Sequence, residues 1–144
     1  MSSALIITIV GIAVGAIVVV VLAKKLMHAM RGSEIAGTSR QELTARWAKI
    51  EQLAMQNDEM SGKMALMEAD KFFDLALKMM MFSGDTMGER MKVAGYKFPK
   101  MQDAWQAHIL RNKMVHDAQF SLRPDSARRA VGQYKNALKQ MNVL

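Results

Sequence analysis

The densest run of reactive side chains is Trp105-Gln-Ala-His108-Ile-Leu-Arg111-Asn112-Lys113-Met-Val-His116-Asp117. His108, Asn112 and His116 recur every four residues, so a helix carries them on one face. Polar groups on a face beside a hydrophobic core need partners. Two imidazoles eight residues apart lie about 12 Å apart along a helix axis, too far to share one zinc ion. The chain has three histidines and no cysteine, so no metal centre and no cofactor is expected. One reading of this face is structural. Arg111 pairs with Glu68 or Asp70, His116 interacts with the dipole at the helix C-terminus, and Asn112 satisfies a buried backbone group.

The elements that must position these residues are helical. Ser39-Arg-Gln-Glu42 has the form of a capping box. Leu43, Trp47, Ile50 and Leu53 or Ala54 follow it at spacings of three and four, one apolar stripe on a helix ending near Gln56. Asn57 to Gly62 reads as a break. A helix over 63–82 becomes apolar all round towards its end, the pattern of a central bundle helix. Thr86-Met-Gly-Glu89 is a second capping box and opens a short helix to about Ala94, with Gly95 as its C-terminal cap. The helix carrying the histidines spans about 100–117. Pro124 starts the last one, whose stripe is Ala127, Ala130 or Val131, Tyr134, Ala137 or Leu138, and Met141. No strand is expected. Trp47 and Trp105 sit on apolar stripes and are assigned to the core, as are most of the fifteen methionines.

Upstream the composition changes. The 31 residues before Gly32 contain no acid, and Ala4 to Ala23 is an uncharged run of 20. As a helix it would rise about 30 Å, the thickness of a bilayer's hydrocarbon core. A cleaved signal peptide would need its basic residues before the run. Here Lys24, Lys25 and Arg31 follow it, which predicts an uncleaved anchor at the inner membrane. The N-terminus would face out, the rest would be cytoplasmic, and the three cations would lie at the lipid interface. Gly11 and Gly15 form a small-xxx-small step suited to helix association. The expected organisation is an anchor over 1–31, a linker over 32–38 and a bundle over 39–144. The fold class is all-α: a transmembrane helix followed by four or five cytoplasmic helices.

Composition excludes several function classes. Without cysteine there is no disulfide framework and no thiol chemistry. No phosphate loop, nucleophile elbow, HExxH or calcium loop occurs. Once the three cations before Gly32 are set aside, 17 basic and 13 acidic residues leave a net charge of +4, weak for a nucleic-acid binder.

The segment LRNKMVHD, with Arg111-Asn112 five and four residues before His116, resembles the Arg-x4-6-His motif of the HEPN superfamily of small helical domains. The order of MEADKFFDLAL, TMGER and WQAHILRN with a closing helix extends the resemblance over roughly residues 60–142. Many members of that superfamily are metal-independent ribonucleases that act as dimers. The resemblance implies that His116 acts as acid/base on an RNA 2′-hydroxyl and Arg111 stabilises charge on the phosphate, with Asn112 orienting either one. Lys97, Lys100 and Lys113 are the candidate RNA-binding cations. The implied partners are RNA, a second copy of the chain and membrane lipid. The rival reading is a non-catalytic scaffold that binds a partner protein at the inner membrane face, or a small subunit of a membrane complex. The two readings differ at Arg111 and His116. An enzyme needs both near an open cleft, whereas a scaffold buries them or pairs them off.

Overall fold

The structure, a computed structural model, describes residues 16–22, 34–35 and 38–144. Contacts divide the chain into two units, Met1–Gly32 and Ser33–Leu144. In the first, residues 16–22 are helical (α1) and their side chains are exposed.

The expected single-pass anchor is corrected here. Among the described residues no helix is long and apolar enough to cross a membrane. The described part of α1 rises about 10 Å, a third of a hydrocarbon core. An uncharged run limits what lipid would tolerate but does not specify one continuous helix. The inner-membrane location and the N-out orientation fall with the anchor. Gly11, Gly15, Lys24, Lys25 and Arg31 lie outside the described residues.

Among its described residues the regular structure of the second unit is helical apart from one short ladder. Strands β1 (Glu34–Ile35) and β2 (Thr38–Ser39) pair antiparallel, Glu34 opposite Ser39, where only a linker was expected. Five helices follow: α2 (Arg40–Met55), α3 (Glu59–Met79), α4 (Met87–Gly95), α5 (Met101–His116) and α6 (Pro124–Gln140). Both predicted capping boxes form. The Ser39 hydroxyl accepts from the Glu42 amide, and the Glu42 carboxylate accepts from the Ser39 amide. Thr86 and Glu89 do the same at α4. Helix α3 starts four residues earlier than its apolar pattern suggested. Asp58 caps it by accepting from the Ser61 amide at 2.8 Å, so the polar first turn is already helical.

Helix α3 is central and packs against α2, α4, α5 and α6. Its buried Ala65, Leu66, Phe72, Phe73 and Leu77 meet the predicted stripes of α2 and α6. Trp47 stands edge-on to Phe72 at 5.3 Å, and Phe73 lies 4.9 Å from Tyr134. Each such buried side chain contributes about 1.5–3 kcal/mol. At the α3–α6 crossing the backbone of Gly62 approaches so closely that an added Cβ would lie 3.0 Å from the Ala127 Cβ. After α3 the chain turns through Met81 and Gly84. Gly84 has φ +143°, and a Cβ there would meet the Glu89 Cβ at 2.7 Å, so only glycine fits.

Candidate functional site: a buried carboxylate joining three helices

Asp70 interrupts the buried face of α3, and its side chain is only 7% exposed. A charged group that deep needs several donors. It receives them from two other helices. The Tyr134 hydroxyl of α6 donates to Oδ1 at 2.6 Å, and His108 Nδ1 of α5 lies 2.7 Å from the same oxygen. Arg111 Nε, one turn further along α5, is 3.3 Å from Oδ2. That last contact is an ion pair rather than an aligned hydrogen bond, and the buried Nε makes no hydrogen bond among the described residues.

The proton positions follow from the donor inventory. Arginine can only donate, so the Asn112 oxygen, 3.0 Å from Arg111 Nη1, accepts. The Asn112 amide nitrogen therefore faces His108 Nε2 at 3.2 Å and donates to it. The ring proton must then sit on Nδ1 and point at Asp70. The Tyr134 phenol is pushed far up by burial, then by the Asp70 charge and the bond to it, and stays a donor. Every member has a complementary neighbour, which makes the cluster a rigid tie between α3, α5 and α6. Both His108 nitrogens are engaged, so the ring has no free lone pair with which to abstract a proton.

A second buried charge lies one turn along α3. Arg90 of α4 is 6% exposed. It donates to Asp74 Oδ1 through Nε at 3.1 Å and Nη2 at 2.6 Å, and to the Gly84 carbonyl through Nη1 at 2.6 Å. Burial pushes the Asp74 carboxyl up, but the bonds and charges of Lys78 and Arg90 outweigh it and hold the group below its ordinary 3.8. This pair fastens the α3–α4 turn to α3.

The residues implied by the resemblance do not all converge. Arg111 and Asn112 belong to the Asp70 cluster. Asp70 was one of the two acids considered as a partner for Arg111, and Glu68 instead bonds Lys71 at 2.9 Å. His116 is the last residue of α5, exposed and without a hydrogen-bond partner among the described residues. Lys113 is exposed. Lys97 sits over the Phe98 ring at 5.3 Å, and Lys100 pairs with Asp103 at 3.4 Å. Lys97 and Lys100 precede α5, and Lys113 lies about 20 Å further along its axis, so the three form no single patch. Among the described residues no group of three or more His, Asp or Glu could hold a metal ion.

Two core assignments also change. Trp47 is buried, but Trp105 is 37% exposed, and Met55, Met60, Met64 and Met81 stand out in solvent. The inward side of α5 is taken by Ala104 and Ala107, which turns Trp105 outward. His108 and Tyr134 are cluster members that the motif did not point to. The available signal was Asp70 itself, an acid on the apolar side of a central helix. No protein-family model matches the chain, and no curated protein and no solved structure matches it at a significant level.

Proposed function

We propose that the helical unit over 33–144 is a non-catalytic interaction module. The observation that carries this reading is the commitment of Arg111 and Asn112 to Asp70 and His108, while His116 stands apart in solvent. An RNA-cleaving site needs the arginine and the histidine directed at one phosphate. Here the arginine's charge is already paired with a buried carboxylate, at a geometry that serves the bundle.

The HEPN-like reading, a metal-independent RNA-cleaving or RNA-binding dimer, is the alternative. One observation favours it: the Arg111 side chain keeps 27% of its surface in solvent, on the same half of α5 as His116 and Lys113. The test is RNA cleavage by the full chain in EDTA, beside Arg111→Ala and His116→Ala. The interaction module gives no cleavage above background in any of the three, including after enforced dimerisation. Cleavage by the parent chain that both substitutions abolish establishes the nuclease and removes the module.

A further inference from the structure

An open cleft of about 480 Å³ lies between α4 and α5. Its apolar wall is Met91, Phe98, Pro99, Met101 and Trp105, with Lys92 and Gln102 as the polar groups at its margin. Met91 and Met101 are almost fully buried and Phe98 nearly so, which anchors the floor of the cleft in the core. Trp105 forms a partly exposed flank, its ring edge 3.4 Å from where a Cβ on Gly88 would sit. Val93, Tyr96 and Ile109 are further exposed apolar side chains of α4, its C-terminal end and α5, Tyr96 being 83% exposed. A partly exposed tryptophan beside a concave apolar site is a typical component of a protein-binding hot spot.

Charge decides what fits there. Lys92 lies at the margin of the cleft, Lys97 stands over the ring of the lining Phe98, and Lys100 is exposed between the lining Pro99 and Met101. The nearby acids of α4 and the first turn of α5 do not pair with Lys92. The Glu89 carboxylate turns back onto the amides of Asp85 and Thr86, and Asp103 is taken by Lys100. Lys92 makes no ion pair among the described residues. An apolar cleft with a cationic rim complements an occupant that is apolar at its centre and anionic at its edges.

We propose that this cleft docks an acidic segment of a partner protein. One aromatic or branched aliphatic side chain of the segment enters between Phe98 and Trp105, and flanking carboxylates meet Lys92 and its neighbours. The assignment rests on the interaction-module reading and names the partner's chemistry.

The experiment selects a phage-displayed random 12-residue peptide library on the immobilised full chain. Synthetic copies of the enriched peptides are then titrated against the parent, Lys92→Glu, Trp105→Ala and a control on α3, Met60→Ser. The expected result is a consensus with one large apolar residue flanked by at least two acids. Its affinity falls about tenfold or more in Lys92→Glu and in Trp105→Ala, and is unchanged in Met60→Ser. The Lys92 change lies on the surface, so it reads out even where Trp105→Ala loosens the fold, as followed by circular dichroism. The docking site is overturned by an enriched consensus lacking acids, by peptides insensitive to Lys92→Glu, or by no enrichment at all. A 20-nucleotide oligouridylate that binds instead and responds to the same two substitutions also overturns it and gives the surface to nucleic acid. Peptides that bind elsewhere on the chain remove the cleft and leave the module standing. RNA cleavage dependent on Arg111 and His116 removes the module, whatever the peptides do.

Discussion

Asp70 and Tyr134, 64 residues apart in sequence, meet in the core at 2.6 Å through a phenol-to-carboxylate hydrogen bond. The tyrosine is fully buried and the aspartate nearly so. Each answers a need of the other. The phenol needs an acceptor and the carboxylate needs donors, and water reaches neither readily.

Breaking that contact from the acid side should cost most. Asp70→Ala leaves Tyr134, His108 and Arg111 without their common acceptor and is expected to lose about 3–5 kcal/mol in urea unfolding. Tyr134→Phe removes one charge-assisted bond and should lose about 1.5–3 kcal/mol. The double variant should lose clearly less than the two single losses combined, because the orphaned phenol is gone. Strict additivity in that cycle would mean the two groups do not stabilise each other.

Acid should weaken the α3–α4 turn through Asp74. Its folded-state carboxyl lies below the ordinary 3.8, so its contribution is complete above that value and is lost as pH falls through the lower folded one. Thermal melts from pH 5 down to pH 2 are expected to show a falling midpoint that is shallower in Asp74→Asn. The slope would be the same in both proteins were the Arg90 and Lys78 contacts without effect.

Two helical glycines should respond in opposite directions to alanine. Gly132 lies inside α6, and a Cβ there meets nothing within 4 Å, so Gly132→Ala should stabilise by about 1 kcal/mol. At Gly62 the new Cβ would press on Ala127 at 3.0 Å and push α3 from α6, so Gly62→Ala should destabilise despite its better helix propensity. Chemical denaturation of the two variants side by side gives both signs.

The capping box at Thr86 should be worth a measurable amount. Thr86→Ala removes the acceptor for the Glu89 amide and is expected to cost about 1 kcal/mol, while Thr86→Ser should cost far less. Equal losses in the two would point to packing of the threonine methyl instead of the cap.

Periodicity and caps, which are local, were legible in the chain. Leu43, Trp47, Ile50 and Ala54 of α2 and the Ala127-to-Met141 stripe of α6 are buried as their three- and four-residue spacing requires. Both capping boxes were legible because each is completed within four residues. The start of α3 was not, because a helix end is set by a single side chain, Asp58, rather than by the apolar pattern. The uncharged run before Lys24 gave a length but not, among the described residues, a helix long enough to span, since charge and hydropathy bound what a segment tolerates without fixing its conformation.

The candidate site divides the same way. The sequence alone placed His108 and Asn112 on one face of one helix and offered Asp70 as a partner for Arg111. Only the tertiary structure brought Tyr134 from α6 to that carboxylate and left Glu68 with its own neighbour Lys71. It also turned Trp105 into the wall of a cleft while Trp47, on an equally apolar stripe, went into the core. Helix geometry relates residues up to a few turns apart. Which faces of different helices meet depends on how five amphipathic surfaces bury one another at once, and no single segment carries that information.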